Sequence, residues 1–262
     1  MTANSRWQTI EARVQREGEC SVERLARECA VSEMTIRRDL AALARSGRIV
    51  RTHGGAALGT RILFEFGFLQ RARENDRAKE SIGRTAATLI PEGSTVMMDS
   101  GTTTLALAHA LQNHARLTVV TTSLPVASAL QHAPGVSVLL LGGFVRRDSP
   151  DLAGALTESN LEILRADLAF LGSDGIDLQG NLYNQSPEVA RMLGKMAAAA
   201  GSVYVVADHS KIGRTALVRF GNITRWQGLI TDEGLPHTQG TALRRSGVKL
   251  ILATHEPTVA PP

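Results

Sequence analysis

Apolar runs and helical segments alternate along residues 94–254, and this alternation constrains the fold more than any other feature of the sequence. Seven runs have the length and composition of buried strands: STVMMDS, LTVVTT, VSVLLLGG, ADLAFLG, SVYVVAD, GLITD and VKLILAT. Helical segments lie between several of them, notably TLALAHALQ, PVASALQ, ESNLEILR and SPEVARMLGKMAAAA. A further helix is predicted from about Arg71 to Leu89. Because apolar strands separated by helices are typical of parallel sheets, the sequence predicts an α/β domain with helices on both faces of a mostly parallel sheet.

The first residues of the chain follow a different pattern. Apolar residues at helical spacing predict three helices, and Ile36, Leu40 and Leu43 form the buried stripe of the third. Ser21 and Ser32 are the predicted N-caps of the second and third helices. The stretch RIVRTHGGAA then has strand character and two glycines. Three helices and a short hairpin predict a small all-α winged helix-turn-helix domain.

Positive charge is concentrated in this N-terminal segment. Residues 1–57 contain ten Arg and no Lys against seven Asp plus Glu, whereas the net charge of the whole chain is +4. Arg suits both phosphate and guanine contacts, so we expect double-stranded operator DNA as a partner. The sequence leaves open which Arg contacts a base and which contacts phosphate. The predicted DNA-binding residues are Ser32, Thr35, Arg37 and Arg38 on the third helix and Arg48, Arg51 and His53 in the hairpin.

The two cysteines and the apolar stretches exclude several classes of protein. Cys20 and Cys29 form no CxxC pair, so we expect buried apolar side chains rather than zinc ligands, and no metal or cofactor. The N-terminus has no apolar core of a signal peptide, and no apolar stretch is long enough to span a bilayer. We therefore expect a cytoplasmic protein without a membrane partner.

These patterns give a predicted domain organisation. It consists of a DNA-binding domain (1–57), a linker (58–75), an α/β domain for effector binding and oligomerisation (76–254) and a disordered Pro-rich tail (255–262).

Three predicted strand ends carry residues that suit an anion. The first loop is Asp99-Ser100-Gly101-Thr102-Thr103-Thr104, which opens a helix whose N-terminal amides favour phosphate. The second is Thr121-Thr122-Ser123, and the third is Asp208-His209-Ser210-Lys211, where Lys211 adds a full charge. Gly142 and Gly143 end another strand in a similar way. All of them are expected at the carboxyl ends of parallel strands, where open α/β sheets bind ligands.

The N-terminal motif resembles a known family. VSEMTIRRDLAALARSGRIVRTHGGA, from Val31 to Ala56, is similar to the N-terminal signature of the DeoR regulators. DSGTTT, TTS, LLLGG, LGSDGI and ADHSKIG resemble, in order, the effector domain of the same family. The resemblance implies a fold like that of ribose-5-phosphate isomerase and a phosphorylated metabolite that releases the repressor from DNA. ADHSKIGR looks closest to members that sense glycerol 3-phosphate.

The same resemblance implies a set of ligand residues, to which Glu188 belongs through the resemblance alone. One departure is Thr122, where the family often has Asn, so the hydrogen bonds to the sugar are expected to differ. Together with the loop residues above, the candidate effector-binding residues are Asp99, Ser100, Gly101, Thr102, Thr103, Thr104, Thr122, Ser123, Gly143, Glu188 and Lys211.

The sequence favours a repressor of a carbohydrate or polyol catabolic operon that acts as a dimer or tetramer. An alternative is a sugar-phosphate isomerase with an appended DNA-binding domain. The isomerases that the family resembles carry a Lys- and Gly-rich segment after an acidic loop. Here SDGIDLQGNLYNQSPEVARM follows instead, and no Lys lies between Lys79 and Lys195, so we expect binding without catalysis. A C-terminal domain that only oligomerises is a third hypothesis, which the three anion-type loops disfavour.

Overall fold

The computed structural model describes residues 2–45, 49–52, 54–57, 68–146 and 149–254. The chain divides into two compact units, and the division falls between Leu69 and Gln70. Of the predicted linker, residues 58–67 lie outside the described residues, whereas residues 68–73 are helical. The predicted tail, residues 255–262, also lies outside the described residues.

The N-terminal unit has the three predicted helices and a small sheet. Its elements are α1 (Ala3–Glu17), β1 (Glu19–Ser21), α2 (Val22–Cys29), α3 (Glu33–Arg45), β2 (Val50–Thr52) and β3 (Gly55–Ala57). The strands are antiparallel in the order β1-β3-β2, so the wing has one strand more than the predicted hairpin. Gly55 permits this pairing, because a Cβ there would lie 2.1 Å from the carbonyl oxygen of Cys20.

The core of this unit is built from the apolar stripes of the three helices. Ile36, Leu40 and Leu43 are buried as predicted and pack with residues of α1 and α2. Cys20 and Cys29 lie in the same core as free thiols, and burial raises the pKa of both. Within the described ranges, no group of three His, Cys, Asp or Glu side chains is arranged to hold a metal ion.

All seven predicted strands are present in the C-terminal unit. Its strands are β4 (Thr95–Met98), β5 (Leu117–Thr121), β6 (Val136–Leu140), β7 (Phe144–Val145), β8 (Leu152–Ala153), β9 (Ala166–Leu171), β10 (Gly175–Ile176), β11 (Asn181–Asn184), β12 (Ala200–Val206), β13 (Val218–Asn222), β14 (Gly228–Asp232) and β15 (Leu250–Ala253). Seven of them form one parallel sheet in the order β15-β14-β12-β9-β4-β5-β6. Two small antiparallel sheets, β10-β11-β13 and β7-β8, were not predicted.

Helices cover both faces of the parallel sheet. They are α5 (Asp76–Ala87), α6 (Thr102–Ala110), α7 (Leu124–Leu130), α8 (Ala155–Ile163), α9 (Pro187–Ala198) and α10 (His237–Arg245). Another helix, α4 (residues 68–73), precedes them, and the division between the two units falls within it. Side chains of α5, α6 and α7 pack on one face, and those of α8, α9 and α10 pack on the other. The predicted helix from Arg71 to Leu89 is wrong in one respect, because a turn at Glu74 and Asn75 divides it into α4 and α5. Among the described helices, none has both the length and the apolar character required to cross a membrane.

Candidate DNA-binding surface and effector site

A short turn places α3 directly after α2. Ala30 ends α2 in the left-handed conformation with φ of 53°, and the amide of Val31 donates to the carbonyl oxygen of Ala26 at 3.1 Å. Ser32 then begins α3, since its Oγ accepts a hydrogen bond from the amide of Thr35 at 3.3 Å. The Ser32 and Thr35 hydroxyls also lie 3.0 Å apart. The two predicted polar residues therefore hold the N-terminus of α3 in place.

The predicted arginines lie on the exposed side of α3 and of the wing. Arg37 forms an exposed ion pair with Glu33, with 3.2 Å between Nη2 and Oε2. Arg38 is exposed and has no hydrogen bond or ion pair within the described part of the chain. Arg51 on β2 lines a shallow depression together with Arg37. Exposed surface ion pairs contribute little free energy, so Arg37 and Arg38 are both free to engage phosphate or base edges. Arg48 and His53 lie outside the described residues.

Asp39 is a buried carboxylate of α3 that sequence reasoning missed. Its Oδ2 accepts from Nε of Arg6 at 2.8 Å, and its Oδ1 accepts from the indole Nε1 of Trp7 at 2.8 Å. The bond from Asp39 raises the pKa of the Arg6 guanidinium against the opposing effect of burial. Position 39 lies one residue from Leu40 in the apolar stripe, but no local pattern identifies its two partners on α1.

The strand order reverses between β4 and β9. From β4 the chain continues to β5 and β6 on one side, whereas β9, β12, β14 and β15 follow on the other side. In open α/β sheets, a ligand crevice forms outside the carboxyl ends of the strands at such a reversal. The loop that begins at Asp99 leaves β4 at this point, and the loop that begins at Gly172 leaves β9 beside it.

Asp99 joins these two loops. Its Oδ1 accepts from the amide of Gly101 at 2.9 Å and the hydroxyl of Thr104 at 2.7 Å, and its Oδ2 accepts from the amide of Gly172 at 2.7 Å. Burial raises the pKa of the carboxyl, although these three bonds oppose the shift. Asp99 and the Thr104 hydroxyl, both predicted effector contacts, thus make structural bonds inside the loop pair.

The N-terminus of α6 follows directly. Its N-cap is Gly101, so no side chain caps the helix. Thr102 and Thr103 occupy its first turn, where backbone amides point out of the helix. This first turn is a ready position for an anion.

Ser100 contacts a second buried carboxylate, that of Asp151, and the loop after β5 pairs with the backbone of the same residue. The Ser100 hydroxyl donates to Oδ2 of Asp151 at 2.6 Å, and Nη1 of Arg146 lies 3.3 Å from the same oxygen. Ser123 caps α7, because its Oγ accepts from the amide of Val126 at 3.3 Å. Thr122 lies between these contacts with 0% of its surface exposed, and its Oγ1 has no hydrogen-bond partner among the described residues.

Gly143 lies against the segment that precedes α8. A Cβ at this position would meet the Thr157 hydroxyl and the carbonyl oxygen of Ala153 at 2.7 Å or less. Gly143 therefore serves close packing of the chain after β6.

The third loop leaves β12 and has two anchored residues. Oδ1 of buried Asp208 accepts from the amide of Ser210 at 3.0 Å and from Nδ2 of Asn75 at 2.9 Å. Nδ1 of His209 lies 2.7 Å from Oδ2 of Asp232, and its backbone amide donates to Oδ1 of the same residue at 2.7 Å. Lys211 is half-buried, and no described residue forms a hydrogen bond or an ion pair with its ammonium. Sequence reasoning selected Lys211 but not Asn75, His209 or Asp232.

Two further carboxylates of the loop region, Asp174 and Asp177, are engaged locally, whereas no described residue engages Glu188. Oδ2 of Asp174 accepts from the amide of Gln185 at 3.0 Å. Asp177 accepts from the amides of Gln179 and Asn181 and from the Tyr183 hydroxyl at 2.9 Å. Glu188 is half-buried in the first turn of α9, two residues after the cap Ser186. It has no ion pair or hydrogen bond with the part of the chain that the structure describes.

Each of the two units matches the model of a known protein family. Residues 6–61 match the DeoR-like helix-turn-helix domain, and residues 74–233 match the DeoR C terminal sensor domain. The glycerol-3-phosphate regulon repressor of Escherichia coli K12 is 37% identical over 85% of this chain and 88% of its own length. The HTH-type transcriptional repressor CsqR of the same strain is 32% identical over 96% of each chain.

Among solved structures, ribose 5 phosphate isomerase A from Neisseria gonorrhoeae is similar over 51% of this chain and 52% of its own, with 18% identity and a TM-score of 0.38.

The family matches together cover most of the chain, and the curated relatives are named as transcriptional repressors rather than enzymes. The chain belongs to the DeoR family of DNA-binding transcriptional regulators.

Proposed function

We propose that this regulator is a repressor of a carbohydrate or polyol catabolic operon, released from its operator by a phosphorylated metabolite. The observation that carries the proposal is the set of polar groups without partners at one edge of the parallel sheet. It comprises the uncapped first turn of α6, the hydroxyl of Thr122 and the ammonium of Lys211, in the described part of the chain. A phosphorylated polyol supplies partners of both required kinds.

The phosphate group has two matching features in the protein. The first-turn amides of α6 favour an anion through their N–H groups and through the helix dipole. Lys211 adds a positive charge, and hydrogen bonds between charged groups are roughly twice as strong as neutral ones. These features support contacts from Gly101, Thr102, Thr103 and Lys211 to phosphate.

The hydroxyl groups of the effector have a different set of candidates. A buried hydroxyl without a partner costs about 1–3 kcal/mol, so Thr122 gains from a ligand hydroxyl. Glu188 is a second acceptor without a described partner. One relative is named for the glycerol-3-phosphate regulon, and glycerol 3-phosphate combines a phosphate with two hydroxyls. It is therefore the first ligand to test.

The engaged carboxylates disfavour the isomerase alternative. Proton abstraction requires a base within reach of the substrate carbon. Asp99 and Asp177 each accept several hydrogen bonds within the protein, and Asp174 holds the backbone that leads to α9. Ribose 5-phosphate is therefore expected to remain unconverted.

We also propose that the protein is at least a dimer, because helix-turn-helix regulators contact paired half-sites. An apolar edge surface supports this proposal. It consists of Leu139, Leu140, Phe144, Val145 and Leu156, all exposed, on β6, β7 and the first turn of α8. Phe144 is 85% exposed, so Phe144→Ser is expected to lower the mass measured by light scattering. Leu217→Ser, at an exposed residue outside this surface, is the matched control.

Thermal unfolding with paired ligands tests the effector class. Glycerol 3-phosphate and glycerol form one pair, and ribose 5-phosphate and ribose form another. A ligand that binds the folded state raises the unfolding midpoint, and at equal concentration a tighter ligand raises it more, so at least one phosphorylated member should stabilise the protein. Equal effects of phosphorylated and unphosphorylated compounds would refute a phosphate-dependent effector.

A further inference from the structure

The division between the two units falls within α4, and the chain then turns into α5 at Asn75. This residue has φ of 52°, a left-handed conformation that Asn tolerates better than most residues. Its side chain does not cap α5. Instead, its Nδ2 donates to Oδ1 of Asp208 at 2.9 Å, although the two residues are 133 positions apart. The start of the unit is thus bonded to the loop that carries Lys211.

Lys79 of α5 reinforces this junction. Its side chain is buried, and its ammonium donates to the carbonyl oxygen of Arg71 at 2.6 Å and to that of Glu74. Burial lowers the pKa of Lys79, the negative charge of Asp208 raises it, and the positive charge of Lys211 lowers it. Lys79 therefore holds the end of α4 and lies in the electrostatic field of both charged residues of the effector loop.

We propose that Asn75 and Lys79 are positioning residues that couple the effector loop to α4, an inference that rests on the proposed function. A phosphate bound beside Lys211 adds negative charge near Asp208. It is attracted by the same positive charges as the Asp208 carboxylate, those of Lys79 and Lys211. Repulsion from the phosphate displaces the Asp208 carboxylate, which breaks its bond with Asn75 and loosens the end of α4. Residues 68–69 of α4 group with the DNA-binding unit and its later residues group with the C-terminal unit, so α4 belongs to both units. An element whose state both ligands bias is the physical requirement for coupling.

Asn75→Gly removes the bond and keeps the left-handed backbone accessible, since glycine adopts positive φ without a steric penalty. Asn113→Gly, at an exposed turn after α6, is the matched control. Hydrogen exchange of the full-length protein without ligand is measured first. Residues 68–75 should exchange faster in Asn75→Gly and at the wild-type rate in Asn113→Gly. Wild-type exchange in both variants would overturn the proposal.

The second measurement is the ratio of operator Kd values with and without saturating glycerol 3-phosphate. Allosteric ratios are on the order of 5–150, and Asn75→Gly should reduce the wild-type ratio at least about fivefold while it still binds glycerol 3-phosphate by calorimetry. A wild-type ratio would overturn the coupling. Lys79→Met should change exchange and ratio in the same direction, which guards against a local effect of glycine. If wild-type protein does not bind glycerol 3-phosphate, the proposed effector is wrong. The hydrogen-exchange measurement then decides by itself whether Asn75 holds the end of α4.

Discussion

Asp39 on α3 and Arg6 on α1 form a bidentate ion pair. Nε of Arg6 lies 2.8 Å from Oδ2 of Asp39, and its Nη2 lies 3.3 Å from Oδ1. Only 12% and 8% of the two side chains are exposed. With the indole of Trp7 as a further donor, the carboxylate fixes the position of α3 against α1. The helix that carries Arg37 and Arg38 is therefore oriented by a buried polar contact as well as by its apolar stripe.

Asp39→Asn is expected to lower the thermal unfolding midpoint of the N-terminal unit, because the neutral amide removes the ion pair with Arg6 in a nearly buried position. The sequence contains two tryptophans, so a Trp226→Phe background makes Trp7 the reporter of this unit. Glu33→Gln, at an exposed carboxylate of the same helix, is the control. An unchanged midpoint in Asp39→Asn would show that the ion pair does not stabilise the fold.

Arg37→Ala and Arg38→Ala are each expected to weaken operator binding without unfolding the protein. A lost base contact costs about 1–3 kcal/mol and relaxes specificity at one position. A lost phosphate contact weakens all sequences alike and reduces the salt dependence. Anisotropy with operator and scrambled DNA at several salt concentrations distinguishes the two cases. The control is Arg245→Ala on α10, and wild-type binding by both variants would refute the assignment of α3 to DNA contact.

The elements with long apolar patterns were predictable, whereas contacts between distant residues were not. The seven sheet strands were found because each is a continuous apolar run, which is typical of parallel sheets covered on both faces. The edge strand β6 follows the same pattern although its residues are exposed or half-buried. The strand β1 was missed because Glu19, Cys20 and Ser21 show no strand pattern. Asn75 was assigned to a linker, since nothing near it indicates Asp208 as a partner.

The effector site was predictable only in part, because local patterns indicate its position but not its contacts between distant residues. Strand ends rich in Ser, Thr and Gly indicate a ligand edge, but they do not distinguish groups that bind ligand from groups that hold the loops. Asp99 and Thr104 are bonded within the loop pair, so they hold the loops, and their contact with an effector stays a prediction. The bond that shows the structural role of Asp99 comes from Gly172, which lies at the end of another strand. The sequence around Asp99 does not indicate that partner.

Asp99→Asn is expected to destabilise the C-terminal unit by about 1–3 kcal/mol, the cost of a buried donor without an acceptor. The carboxylate of Asp99 accepts hydrogen bonds from Gly101 and Thr104 at Oδ1 and from Gly172 at Oδ2. The side-chain amide of the Asp99→Asn variant has one oxygen and cannot accept all three bonds. Urea unfolding followed by Trp226 fluorescence in a Trp7→Phe background measures the change. Asp76→Asn, at an exposed residue of α5, is the control, and equal stabilities of the two variants would contradict the structural role.

Asp208 is expected to make the stability of the C-terminal unit depend on pH in the acid range. Burial raises the pKa of its carboxyl, but the bonds from Ser210, the charge of Lys79 and the bond from Asn75 outweigh burial and lower it overall. A lowered folded-state pKa gives stability that is complete above the unfolded value of about 3.9 and is lost as pH falls through the folded value. The difference in unfolding free energy between wild type and Asp208→Asn should therefore narrow below about pH 4. A constant difference from neutral to acid pH would contradict this account.

The measurement that tests the central claim most directly is a titration of glycerol 3-phosphate into the complex of wild-type or Lys211→Ala protein with its selected operator. Wild-type protein should dissociate from DNA. Lys211→Ala removes one charge-assisted bond worth roughly 1.5–3 kcal/mol, so its midpoint should rise on the order of tenfold to a hundredfold, with operator affinity unchanged without ligand. Lys249→Ala, at an exposed lysine, should behave as wild type. Wild-type midpoints for Lys211→Ala would remove Lys211 from the site, and an operator complex that no phosphorylated sugar or polyol dissociates would contradict the proposed switch.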